Sequence, residues 1–63
     1  MIKMSGSEYI ERSESNEGIC LACLEEAYGV EPDARNYTCE ACGWNEVFGL
    51  DELMIMGKID ILQ

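Results

Sequence analysis

The sequence predicts a small metal-stabilised α+β domain, and three observations predict it. The chain has 63 residues, which leaves room for one domain with a thin core, and chains of that size usually need a staple beyond hydrophobic burial. Its four cysteines fall as two Cys-x-x-Cys pairs, Cys20 with Cys23 and Cys39 with Cys42. Short apolar or β-prone segments precede each pair, and an apolar run near the C-terminus has helical spacing.

The cysteines form the pattern C-x2-C-x15-C-x2-C, within the spacing of a four-thiolate zinc site. Two intervening residues let consecutive thiolates reach one metal at about 2.3 Å while nearby amides turn toward sulfur, and two such pairs close a tetrahedron. A closed tetrahedron leaves no position for water. The expectation is therefore one structural Zn²⁺ on Cys20, Cys23, Cys39 and Cys42, in a zinc ribbon with two knuckles, short β-strands and a short C-terminal helix. Binding and folding should be coupled, the metal-free chain being largely unfolded. The competing readings are two disulfides or a thioredoxin-like redox pair; the latter requires alternating strands and helices around the pair, which this sequence lacks.

The elements follow in order along a single domain, residues 1–63. Residues 1–7, with Gly6, Ser5 and Ser7, read as a frayed end. Residues 8–17 read as an acidic arm: Glu8, Glu11, Glu14 and Glu17 surround one apolar pair, Tyr9 and Ile10, which suits a short edge strand or a contact with the metal site. Gly18 to Cys23 and Tyr37 to Gly43 are the two knuckles. Between them Leu24 to Tyr28 tolerates helix, but Gly29, Pro32 and Asn36 punctuate the stretch into a loop or hairpin arm. Asn45 to Phe48 reads as a return strand. Asp51 and Glu52 suit a helix N-terminus and Gly57 a helix stop, so a helix is expected over about Leu50 to Met56. Within it Leu50, Leu53 and Met54 share a buried face, and Ile55 and Met56 point elsewhere. Lys58 to Ile61 alternates as a half-buried strand does, with Leu62 extending it.

Formal net charge is −9, from 13 Asp and Glu against 4 Lys and Arg. Four thiolates on one Zn²⁺ would add about two more negative charges. Nucleic-acid affinity rests on Lys and Arg neutralising phosphates, and Lys3, Arg12, Arg35 and Lys58 are too scattered to form a patch. Any polyanion binding is therefore expected to be weak, and a nucleic-acid-binding ribbon is the least favoured of the functions weighed. The acidity serves solubility or attraction to a basic protein surface. No apolar run approaches the roughly 20 residues of a membrane span, and residues 1–7 lack the core of a signal peptide, so a cytoplasmic location is expected. Catalysis is disfavoured: there is no His, the cysteines are committed to metal, and the serines have no base beside them.

Trp44 directly follows the second knuckle and is expected to pack beside the metal; the alternative is an exposed hot spot for a partner. Met54 suits the core and Met56 an interface. Val47, Phe48, Leu50, Leu53, Met54, Ile55, Met56, Ile59, Ile61 and Leu62 are more apolar side chains than so small a core covers, so the C-terminal segment is expected to dock on a partner or on a second copy. Two further functions stand beside this adapter or inhibitor. One is nucleic-acid mimicry, with Glu8, Glu11, Glu14, Glu17, Glu25, Glu26, Glu31 and Asp33 imitating phosphates against a DNA- or RNA-binding defence protein. The other is electron transfer: Cys39-Glu40-Ala41-Cys42-Gly43 looks like a knuckle of rubredoxin, whose four cysteines hold iron, although Leu24 stands where the first knuckle would carry glycine.

The stretch Gly29-Val30-Glu31-Pro32-Asp33-Ala34-Arg35, with Tyr37, Cys39 to Gly43, Val47-Phe48-Gly49 and Glu52-Leu53-Met54, resembles small zinc-ribbon proteins of bacteriophages and prophages. The likeness covers the second half of the chain plus Cys20 and Cys23. It implies the ribbon fold, a bacterial or phage-infected cytoplasm, and a role in binding a host protein.

Overall fold

The computed structural model describes residues 2–62. In chain order the elements are β1 (Ile2–Ser5), α1 (Gly6–Glu14), β2 (Glu17–Cys20), β3 (Glu26–Tyr28), β4 (Val47–Gly49), α2 (Leu50–Ile55) and β5 (Ile59–Leu62). They form a small α+β fold with two sheets: β1 pairs with β5 in parallel, and β3, β2 and β4 form an antiparallel sheet in that order. No helix among the described residues is long and apolar enough to cross a membrane.

The β2 strand links two small cores because successive side chains on a strand leave by opposite faces. Ile19 joins Met4, Phe48, Leu50, Leu53 and Ile59 beneath the helices. Cys20 joins Val30, Ala34, Cys39 and Val47 on the other side. The register Ile19↔Phe48 and Cys20↔Val47 gives β4 the same division. The cysteine side and the helical side of the molecule thus share both strands.

The N-terminal residues depart from expectation. Residues 2–5 do not fray; they form β1, matched to β5 as Ile2↔Ile59, Lys3↔Asp60, Met4↔Ile61 and Ser5↔Leu62. The alternating C-terminal strand needs a ladder partner, and Ile2 and Met4 supply both hydrogen bonds and apolar side chains, Met4 being fully buried. Met1 lies outside the described residues. Residues 8–17 are not an arm either. Ser5 caps α1, its hydroxyl accepting from the Glu8 amide at 3.1 Å, and Ser5-Gly6-Ser7-Glu8 has the Ser-x-x-Glu form of a capping box. Tyr9 packs against the helical core and its hydroxyl donates to Asp51 on α2. Burial and that hydrogen bond push the Tyr9 hydroxyl up to about 12.

Arg12 explains how so acidic a segment lies against the sheet. Its guanidinium meets Glu8 at 3.4 Å, Glu17 at 3.2 Å and Glu26 at 3.0 Å, joining α1 to β2 and β3. Arg12→Met is expected to destabilise the fold by about 1–2 kcal/mol, because three carboxylates are left facing one another. Denaturant unfolding at two salt concentrations checks this: the loss should shrink as salt screens the repulsion, and a loss independent of salt would assign Arg12 a packing role only.

Toward the C-terminus the reading holds closely. Leu50 and Leu53 are fully buried, Met54 is half-buried, and Ile55 and Met56 are exposed, so the helical spacing assigned the faces correctly. Gly57 ends the helix with φ +74°. The loop before β4 is tied to the start of α2: the Gly49 amide donates to the Ala34 carbonyl at 3.0 Å and the Glu52 amide to the Pro32 carbonyl at 3.0 Å. Glu52, buried at this junction, is paired with Arg35 at 2.9 Å. The segment between the cysteine pairs is a hairpin arm, as its turn residues indicate, but Glu26–Tyr28 is strand, paired with Glu17–Ile19.

Candidate metal centre

Each cysteine pair occupies a tight backbone turn. In the first, which leaves β2, the Leu24 amide donates to the Cys20 carbonyl at 2.8 Å; in the second, the Gly43 amide donates to the Cys39 carbonyl at 2.8 Å. Both turns end in the left-handed region, at φ +65° for Leu24 and +83° for Gly43. The second is anchored to β4 by the bridge between Tyr37 and Val47 and by the Cys39 amide donating to the Trp44 carbonyl at 2.8 Å. Thr38 Oγ1 donates to Asn45 Oδ1 at 2.8 Å, and Asn36 Nδ2 donates to the Asn45 carbonyl at 3.0 Å. The first is held to β4 by the Leu21 amide donating to the Glu46 carbonyl at 2.9 Å.

These turns bring all four predicted ligands together. The Sγ atoms of Cys20, Cys23, Cys39 and Cys42 lie within 4.8 Å of one another. Across the two turns, Cys20 to Cys42 and Cys23 to Cys39 are each 3.6 Å. A tetrahedron with metal–sulfur bonds of about 2.3 Å has edges of about 3.8 Å, so the set fits a four-thiolate metal. A disulfide needs sulfurs at about 2.05 Å, and all four thiols are free. Cys20 and Cys39 are buried, whereas Cys23 and Cys42 are exposed, so the centre has one face in the core and one toward solvent.

Electrostatics support the fit. The Cys42 amide, donating to Cys39 Sγ at 3.5 Å, together with the Ala41 amide, lowers the Cys39 thiol to about 7. At Cys23 the Glu25 amide favours the thiolate, but desolvation and the sulfurs of Cys39, Cys42 and Cys20 outweigh it, and the thiol is pushed up to about 12. With sulfurs this close, charge on one raises the cost of charge on the next. A bound dication reverses that balance and holds all four as thiolates.

Trp44 is not part of the packing behind the ligands. It is 66 % exposed, and it serves the centre through its backbone carbonyl. Val30, Ala34 and Val47 are the buried residues clustered with Cys20 and Cys39 instead. Val30 and Ala34 went unassigned in the sequence; the signal was a pair of small apolar residues on either side of Pro32, in a loop otherwise polar.

Leu24 provides a direct test of the turn. A β-carbon in the left-handed region costs about 1–2 kcal/mol, and Leu24 is 64 % exposed, so little packing compensates. Leu24→Gly is expected to raise the stability of the metal-loaded chain by about 0.5–1 kcal/mol after the entropy of the unfolded glycine is subtracted. Gly43→Ala, whose new methyl meets nothing within 4 Å, should lower it by about 1–2 kcal/mol through backbone strain alone. Chelator competition and thermal melts read both, and loss of stability in Leu24→Gly would mean that the leucine side chain has a contact role.

Comparison with family models, with curated proteins and with solved structures returns no match, so the functional reading rests on this geometry, and the likeness to small phage ribbons on the residues quoted for it alone.

Proposed function

We propose that the chain is a non-enzymatic zinc-ribbon module that holds one structural Zn²⁺ on Cys20, Cys23, Cys39 and Cys42 and docks on another protein through its α2–β5 unit. The observation that carries the docking role is the apolar surface of that unit: Ile55 is 80 % and Leu62 52 % exposed, with Met56 and Ile61 also on the surface. Leu50, Leu53 and Ile59 supply the buried side chains of this unit, and none of these four is among them. Exposed apolar side chains beyond those the core uses mark interaction sites where they adjoin, as Ile55 and Met56 do at the end of α2.

A closed four-thiolate tetrahedron accommodates zinc or iron, and the objection to iron from Leu24 falls away, since its backbone takes the glycine-like turn; zinc is the proposal because such a closed site is the usual form of structural zinc. Elemental analysis decides the metal: a colourless protein with one zinc per chain supports this reading, and a coloured iron site would make electron transfer the function. Nucleic-acid mimicry is weakened by the placement of its carboxylates. Glu8, Glu17 and Glu26 are gathered around Arg12, and Glu31 accepts from the Tyr37 hydroxyl, which lowers the Glu31 carboxyl.

The test of docking is a substitution that leaves the core untouched. A bacterial lysate, the setting the phage resemblance implies, is passed over the metal-loaded chain and over the double variant Ile55→Glu, Leu62→Glu. A protein retained by the first at high salt and lost by the second supports docking through this surface. Equal retention by a variant that keeps its metal and its fold refutes it.

A further inference from the structure

We infer that the free edge of β3, with the cleft beside it, receives an extended basic segment of a partner protein. This surface is separate from the α2–β5 unit, none of whose exposed apolar residues lines the cleft, so the inference goes beyond the docking role proposed above. The first observation is the state of the edge. In the β2–β3 ladder the Cys20 amide donates to the Glu25 carbonyl at 3.0 Å, and Gly18 stands opposite Ala27. Antiparallel ladders alternate bonded and non-bonded pairs, so Ala27 bonds inward and the amides and carbonyls of Glu26 and Tyr28 face outward. Sheet order leaves β3 with no other neighbour. Two donors and two acceptors are therefore presented at strand spacing, which is what strand addition uses.

The second observation is the cleft of about 360 Å³ next to this edge, lined by Ala27, Val30, Tyr37, Thr38, Glu40 and Val47 among others. Ala27 leaves β3 on the face opposite Glu26 and Tyr28 and packs on the core behind the metal ligands. A residue paired opposite Ala27 on an added strand would project over the cleft, and its two neighbours would lie beside Glu26 and Tyr28.

Charge selects the occupant. Glu40 lines the cleft, Glu25 lies along the edge, and Glu31 stands beside Tyr37. Glu26 is already paired with Arg12 at 3.0 Å, so Glu40 and Glu25 are the acidic groups left to meet an incoming cation. Tyr37 adds a ring of the kind that attracts a cation. A second copy of this chain carries the same net charge of −9, which disfavours self-association on this face. Alternating arginine or lysine in an extended segment is the complementary chemistry: one cation over the cleft toward Glu40, with the intervening side chains beside Glu26 and Tyr28.

The test is a titration of the metal-loaded, isotope-labelled chain, followed by NMR, with an acetylated and amidated peptide alternating threonine and arginine; a second peptide carries glutamate in place of each arginine. The expected result is shifts concentrated at 25–28 and 37–41, slowed solvent exchange of the Glu26 and Tyr28 amides, and no binding of the acidic peptide. Tyr28→Pro removes an outward-facing N–H from an edge position where proline is tolerated, and it should weaken binding at least about tenfold. Glu40→Gln leaves β3 intact and should weaken binding several-fold, with a shallower salt dependence. Shifts spread equally over Glu8, Glu11 and Glu14, binding of the acidic peptide, absence of binding by the basic one, or unchanged affinity in Glu40→Gln would each overturn the inference.

Discussion

Removing the metal with a chelator is expected to unfold the entire chain, including the helical half that touches no cysteine. The reason is the sharing of strands. On β2, Ile19 serves the helical core and Cys20 the metal side; on β4, Phe48 and Val47 divide in the same way. Neither core can lose its strands while the other keeps them. Structural zinc contributes about 10–16 kcal/mol of apparent binding free energy in small zinc-binding peptides, as much as the whole stability of an ordinary domain, about 5–15 kcal/mol. The helical core, six buried side chains with four half-buried neighbours, is too small to make good that loss. Far-ultraviolet circular dichroism before and after chelation should show loss of helix and strand together, restored when zinc is returned. Cys39→Ser, at a buried ligand, should reproduce the unfolded state in the presence of metal. A metal-free chain with an unchanged spectrum would show that the centre decorates the fold without sustaining it.

The clustering of Cys20, Cys23, Cys39 and Cys42 was legible because spacing alone points to it: a two-residue gap within each pair is a local constraint, and the long gap between pairs need only form a hairpin. The α2 faces were legible for a similar reason, since the positions of Leu50, Leu53 and Met54 determine which side of a helix is apolar regardless of what covers it. The N-terminal half was harder. Ile2 and Met4 form a strand only because Ile59 and Ile61 stand beside them, a pairing across nearly the full length of the chain that no local pattern displays. Glu8 to Glu17 looked like a solvated arm because the cation that gathers three of its neighbours' charges, Arg12, is a single residue whose reach to Glu26 is visible only in three dimensions. Its capping box, by contrast, was present in the sequence at Ser5 and Glu8. Leu24 shows the opposite case: its side chain argues against a left-handed turn, and the geometry of two cysteines closing on one centre prevails.

Gly49→Ala is expected to be among the most damaging substitutions outside the cysteines, although its backbone conformation suits alanine. Gly49 has φ −68° and ψ 159°, ordinary extended values, so the cost comes from contact alone. A β-carbon there would lie 2.0 Å from the Glu31 carbonyl oxygen and 2.4 Å from that of Pro32. These are main-chain atoms, so no side-chain rotation relieves the clash. The loop that carries them is fixed by the bonds from Gly49 to Ala34 and from Glu52 to Pro32, and moving it away breaks both. It also draws Val30 and Ala34 off the buried cysteines, Cys20 and Cys39. A loss of about 3 kcal/mol or more is expected, at the upper end of what overpacking costs, together with weaker metal retention in chelator competition. Gly57→Ala is the informative comparison: its φ is +74° and its added methyl meets open space, so strain alone should cost about 1–2 kcal/mol and leave metal affinity nearly unchanged. Both are measured by denaturant unfolding at fixed free metal, since metal concentration itself sets the apparent stability. If Gly49→Ala matched wild type in both stability and metal retention, the loop would be free to retreat, and its role as the backing of the metal centre would have to be abandoned.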